Sequence, residues 1–305
     1  MRRICCLAMV LCVLFCCVGC EKQAEKTIFA MDTVMSLQVW GADATQTLDA
    51  LERAVLLMEK TWDADAENSA PYVLNHGGTV EGEPMGQILW LAERTGGAFD
   101  PKLGAVSALW GFGKKNMIPT QEQIREAMEQ EVWDFGGAIK GYTGDVLVLV
   151  LESMDVDRAI LDLGGNIQTY GQKPDGSAWQ IAIQNPDGGE YVGILSVRGT
   201  MSVVTSGDYQ RYFEADGLRY HHILDPQTGY PADSGLRSVT VISRDGLTAD
   251  CLSTALFVMG LEKGIAFWQE SDDFEAVFIT ADGRVVATEG AALSGCNYEV
   301  IERED

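Results

Sequence analysis

The stretch from Ser238 to Gly260 constrains this chain more than any other. Val239, Val241 and Ile242 form an alternating apolar run, which predicts a strand. A short turn then leads into an apolar helix expected from about Ala249 to Met259. A strand delivering so apolar a helix belongs to a fold in which sheet and helix pack together. Asp250 and Thr254 are four residues apart, so both oxygens fall on one helix face near its positive end, with Ser253 in reach. A carboxylate with hydroxyls suits a hard cation such as Mg²⁺ that also holds substrate phosphates. The plainer alternative is that Thr248 or Asp250 caps the helix.

The first residues lie outside that fold. Arg2 and Arg3 make a basic start, and Ile4 to Val18 is an apolar run too short to span and stay, as in a signal peptide over residues 1–19. It ends in Cys17-Val-Gly-Cys20, which resembles a bacterial lipobox with Cys20 as the acylated residue, although the usual aliphatic residue three before the cysteine is Cys17. A plain signal peptide is the alternative. A polar tether is expected over residues 20–26, followed by one domain over 27–305. Beyond Cys20, Cys251 and Cys296 are left in the mature chain; they could make one disulfide, but Cys251 reads rather as a small apolar filler in a buried helix. No zinc-type cysteine spacing exists. Losing Arg2 and Arg3 takes the net charge from −23 to −25. Such a surface repels nucleic acid. The anchor implies the extracytoplasmic face of a cell membrane.

Thr27 to Trp40 alternates as a strand, with Met31-Asp-Thr33 inside it. Helices are expected over residues 45–62, 83–95, 119–130 and 144–154, the third opening on the capping box Thr120-Gln-Glu-Gln123. From Trp179 to Phe213 the pattern is β, broken by glycine turns. The whole reads as α+β with mixed, largely antiparallel sheets and packed helices.

Four further segments carry chemistry. Asp134-Phe-Gly-Gly-Ala-Ile-Lys-Gly141 joins a strand to a helix start, where glycines admit a close ligand, free amides attract phosphate and Lys140 adds a charge. It lacks P-loop spacing, and a plain glycine turn is the alternative. His221-His-Ile-Leu-Asp-Pro-Gln-Thr-Gly229 holds two of the three histidines in a turn; one could accept a proton from an attacking hydroxyl, or be structural. Thr205-Ser206-Gly207-Asp208-Tyr209 offers a hydroxyl, but Ser206 is not in a GxSxG elbow, which argues against a serine hydrolase. Trp110 and Phe112, flanking Gly111, could cover a flat ring or simply pack in a core.

In this order the motifs resemble the ApbE family of FAD:protein FMN transferases. The resemblance runs through Met31-Asp-Thr33, Gly97-Ala-Phe-Asp100, Leu109-Trp-Gly-Phe-Gly113, Asp134 to Tyr142, Asn166, Thr205 to Tyr209, His222 to Gly229 and the Asp250 to Thr254 helix. It implies an ApbE-like, T-fold-related architecture. It also implies a Mg²⁺-dependent reaction that cleaves FAD, releases AMP and leaves FMN on a Thr or Ser hydroxyl of an extracytoplasmic redox protein. Asp250 and Thr254 match the metal-binding side chains, and a backbone carbonyl, assigned to Gly137, completes the set. Met31, Asp65, Trp110, Gly111, Phe112, Asp134, Lys140, Ser206 and Leu224 match positions along the flavin nucleotide, and His222 has a base or orienting role. The chain departs from the family pattern in three places. Met-Gly-Thr becomes Met31-Asp32-Thr33. Gly-Ile-Ala-Lys-Gly becomes Gly137-Ala138-Ile139-Lys140-Gly141. An aromatic expected near residues 69–75 is taken as missing, with Asp65 at about its place. Two other functions remain in view: an FAD pyrophosphatase using water as acceptor, and a lipid-anchored flavin-binding protein without catalysis.

Overall fold

Residues 22–304 are described in the computed structural model; the leader, Cys20 and its acylation lie outside them. Nine strands form one sheet in the order β1-β2-β3-β4-β7-β10-β11-β12-β14. They are β1 Gln23–Ala30, β2 Thr33–Trp40, β3 Arg158–Asp162, β4 Asn166–Gly171, β7 Met201–Gly207, β10 Leu236–Ser243, β11 Phe274–Thr280, β12 Val285–Thr288 and β14 Glu299–Ile301. Every neighbouring pair is antiparallel except β12 and β14. A second sheet, β13-β6-β5, uses Leu293–Ser294, Gly193–Val197 and Trp179–Ile183, and β8 Tyr212–Ala215 pairs with β9 Leu218–His221. The α+β reading holds.

The segment expected to be one strand over 27–40 is a hairpin. Met31 and Asp32 both take positive φ, 51° and 58°, and turn β1 back onto β2. Aspartate tolerates the left-handed region better than most residues, so it substitutes for a glycine here. The sheet also starts at Gln23, inside the stretch read as a tether. Polar residues disguise β1 because it is an edge strand with one solvent face, fastened where Lys26 pairs with Asp49 and Glu52.

Seven helices lie among the described residues: α1 Ala44–Trp62, α2 Ala70–Asn75, α3 Met85–Arg94, α4 Gly104–Trp110, α5 Gln121–Met128, α6 Ile139–Glu152 and α7 Gly246–Gln269. The capping box at Thr120 and Gln123 is present. α6 begins five residues before the expected Gly144, because glycines in its first turns mask its start. α7 likewise begins at Gly246, capped by the Asp245 side chain accepting from the Thr248 N–H at 2.7 Å. α7 is apolar all round because it is a core helix, buried from Leu247 through Ser253.

Three layers result. Leu37, Val39 and Leu161 pack one end of the large sheet against Leu48, Leu51 and Val55 of α1 and Leu147 and Leu151 of α6. Val239, Val241 and Val204 meet α3 and α7 on that same side. On the opposite face, Val203, Ile242, Val277 and Ile279 pack against Trp179, Ile181 and Leu195 of the small sheet. Alternate residues of β7 and β10 therefore serve two different cores, as a strand's period of two requires.

Candidate active site

The site lies where the N-terminal turns of α6 and α7 cross. A Cβ on Gly141 would sit 2.0 Å from the Gly246 carbonyl oxygen, and one on Gly246 would sit 2.4 Å from the Gly141 oxygen. Only two glycines allow backbones this close. The contact lets the Gly141 N–H donate to Asp250 Oδ2 at 2.8 Å across the crossing. Asp145 on α6 fixes the pair from the other direction: its two oxygens accept from the N–H groups of Gly246 and Leu247 at 2.7 and 2.9 Å. The Gln87 amide donates to Asp245 at 2.8 Å, tying α3 to the same helix end.

Asp250 is therefore not the helix cap. Asp245 caps, leaving Asp250 one turn inside, buried but bonded only through Oδ2. Thr254, one turn further, faces Gly137: a Cβ on that glycine would lie 3.5 Å from Thr254 Oγ1. Ser206 of β7 reaches up from the sheet to Ser253 Oγ at 2.8 Å and Thr254 Oγ1 at 3.3 Å, and Ser253 donates to the Asp250 carbonyl at 2.9 Å. The expected trio Gly137, Asp250 and Thr254, with Ser206, is thus brought together. Among the described residues no group of three or more His, Cys, Asp or Glu side chains is arranged to hold a metal. The side-chain donors here are one carboxylate and hydroxyls, all hard oxygens, beside the main chain of Gly137. That set fits Mg²⁺, which keeps part of its shell for water and substrate phosphates.

His222 is half-buried, with Nδ1 sealed and unpartnered. Burial first, then the charges of Arg211 and Lys140, push its pKa down to about 3. It is a neutral imidazole at any physiological pH and a weak base, so of its two expected roles the orienting one suits this environment. The charges of Lys140 and of the exposed Arg211 both act on it; Arg211 carries no motif in the sequence and only the fold brings it here. The buried Asn166 Nδ2 also lacks a partner, and Asn166 pairs with Val204, two residues before Ser206 on β7.

Other expected contacts are differently placed. Trp110 is fully buried, its indole N–H donating to the Gly229 carbonyl at 2.8 Å and its ring packed among Phe112, Phe213, Tyr220 and Tyr230. Its indole faces cannot cover a ligand; the segment offers Phe112, half-buried, and the main chain at Gly111, which takes φ 61° to end α4. Trp110→Ala should cost about 3–5 kcal/mol in a urea melt. An unchanged melt with weakened flavin binding would return Trp110 to the ligand's surface. Leu224 is buried in the same cluster. Asp65 is exposed and pairs loosely with Lys114 at 3.4 Å. The aromatic taken as missing is present: Tyr72 in α2 is half-buried and stacks on His76 at 4.0 Å. Met31 donates its N–H to Glu59 at 2.6 Å, with its sulfur 3.9 Å from the Thr143 hydroxyl on α6. Asp134 accepts from the Gly136 N–H at 2.9 Å and shapes the turn before α6. Cys251 and Cys296 are unpaired and belong to different cores.

Asp145 carries no motif signal beyond being a carboxylate in the middle of an apolar helix. Burial, opposed by its two N–H donors, raises its pKa to about 7. The unfolded chain ionises near the ordinary value, so it releases the proton first, and stability falls as pH rises toward 7. In metal-free protein, denaturation at pH 5 and pH 8 should differ by about 2 kcal/mol from this group, and Asp145→Asn should remove that difference. An undiminished difference in the variant would assign the dependence to other groups.

Residues 31–278 match the ApbE family. The chain is 35% identical over 240 residues to the FAD:protein FMN transferase of Treponema pallidum, a span of 67% of this chain and 66% of that protein. It is 41% identical over 233 residues to the FAD:protein FMN transferase of Klebsiella pneumoniae, covering 67% of this chain and 72% of that one. The crystal structure of the ApbE protein from Thermotoga maritima superposes with a TM-score of 0.80 at 30% identity, covering 88% of this chain and 97% of the other.

Proposed function

The chain belongs to the ApbE family, and we propose that it transfers the FMN part of FAD to a Thr or Ser hydroxyl of a target redox protein, releasing AMP. The observation that carries the reading is the glycine crossing of α6 and α7, which aligns Asp250 and Thr254 with the Gly137 turn. In this proposal Asp250, Thr254 and the Gly137 carbonyl would hold Mg²⁺, which when bound neutralises the charge of the FAD pyrophosphate. Lys140 and Arg211 bind and orient the phosphate oxygens; the amides at the entry of α6 are spent within the protein, Ile139 on the Phe135 carbonyl, Gly141 on Asp250 and Tyr142 on the Ala138 carbonyl. Ser206 keeps Thr254 in its rotamer. His222, held neutral, orients rather than abstracts. The acceptor oxygen forms a bond to the FMN phosphorus as the bond from that phosphorus to the bridging oxygen breaks. AMP leaves with that oxygen, and the hydroxyl proton passes to water.

The leader and Cys20 support placement on the extracytoplasmic face of a bacterial membrane through an acylated cysteine. Incubation with FAD, Mg²⁺ and the protein substrate of the Klebsiella transferase tests the reaction. Mass spectrometry should find an FMN adduct on a Thr or Ser of the substrate, together with AMP, and neither product in excess chelator. Free FMN and AMP with no adduct would convert the assignment to a pyrophosphatase.

A further inference from the structure

A cavity of about 410 Å³ opens on the face of the large sheet opposite α6 and α7. Its floor includes Ser36 and Gln38 of β2 and Ile160 of β3, and its wall is β5. All of Gln180 to Gln184 line it, both inward and outward residues, so the cavity runs along the edge of the strand rather than one of its faces. β5 is the outermost strand of its sheet and pairs only with β6. Half of its main-chain N–H and C=O groups therefore face the groove without a strand to meet them.

Residues of this groove alternate along the chain with residues of the candidate active site on the other face of the sheet. Gly165 lines the groove, and the next residue, Asn166, lies on the helix side with its unpartnered amide. Thr205 lines the groove and Ser206, its neighbour, meets Thr254. Gln210 lines the groove's end, while the Arg211 carbonyl accepts from the His222 N–H at 3.0 Å. Val34, two residues before Ser36 and on the same face of β2, pairs with Phe29 across the hairpin whose turn is Met31-Asp32. Both side chains stand in solvent, at 60% and 70% exposure. In a chain of net charge −23 the lining is nearly neutral, amides and hydroxyls with apolar residues between; its one carboxylate, Asp162, is engaged by the Gly164 and Gly165 N–H groups.

We propose that the acceptor protein docks an extended segment along the free edge of β5, as an added strand over the β2–β3 floor, with Phe29 and Val34 holding an apolar side chain beside the residue whose hydroxyl enters the site. The inference rests on the flavin-transfer reading, which requires a polypeptide to approach this end of the sheet. An edge strand recognises any extended backbone through its main chain, and the neighbouring pockets select side chains. The residues of β5 offer a dock about 17 Å long. The amide-rich floor suits an uncharged peptide better than a nucleotide.

Two variants test this. Phe29→Glu alters a side chain that supports no core, and Ser36→Arg fills the floor. With the Klebsiella transferase's protein substrate, each should raise the KM for that substrate at least about tenfold, while kcat and the affinity for FAD stay within about twofold. Unchanged KM values in both, with the wild-type protein active, would overturn the docking site and leave flavin transfer standing. Weakened FAD binding in both would make the groove part of the flavin site and overturn it too. Self-association of the wild-type chain that both variants abolish would give the edge to a second copy, which likewise overturns the docking site. A wild-type protein that modifies no acceptor removes the flavin-transfer reading and the docking site together.

Discussion

Asp250→Ala should lower the rate of flavin transfer at saturating Mg²⁺ by about 10³-fold, the scale on which removal of one preorganised charge acts at a reacting phosphate. Two consequences separate this loss from simple unfolding. The side chain accepts one hydrogen bond, from Gly141, so its removal leaves a single N–H unmet and costs about 1–3 kcal/mol of stability. Asp250→Asn retains an acceptor for that N–H with no negative charge, so its melt should stay near wild type while its activity falls as far. Isothermal titration should show Mg²⁺ affinity reduced in both. Full activity in the asparagine variant would remove the carboxylate from the proposed metal site.

Gly141→Ala should damage both fold and chemistry. Its new methyl would lie 2.0 Å from the Gly246 carbonyl and 2.6 Å from Asp250 Cβ, so α6 and α7 must part. Neither obstacle is the far end of a flexible side chain. A cost of about 3 kcal/mol is expected. A shift of about 1 Å between Gly137 and Thr254 should lower transfer at least 10²-fold. Gly86→Ala in α3 is the control: nothing lies within 4 Å of its new methyl, and the helix should gain about 0.5–1 kcal/mol. Equal melts for the two variants would refute the crossing.

These outcomes separate what was legible in the sequence from what was not. The α+β character, the strand before α7, the Thr120 capping box and the shared face of Asp250 and Thr254 all follow from local rules. A period of two or 3.6, or a cap three residues ahead, is written within a few neighbours. The hairpin at Met31-Asp32 escaped because its turn carries no glycine. The helix that carries Tyr72 leaves little signal, because six residues inside a polar stretch show little periodicity.

By itself the sequence determined which oxygens could meet a hard cation, because helix geometry fixes the spacing of Asp250 and Thr254 before any packing occurs. Only the tertiary structure decided which groups answer them. Asp145, Asp245 and Arg211 reach the site from segments far apart in the chain, and Trp110 was drawn from an expected ligand contact into an aromatic core. The physical reason is that burial and hydrogen-bond partners are set by contacts across the fold. The one-residue alternation of Thr205 and Ser206 shows it most simply, since the same strand supplies a groove on one face and the candidate active site on the other.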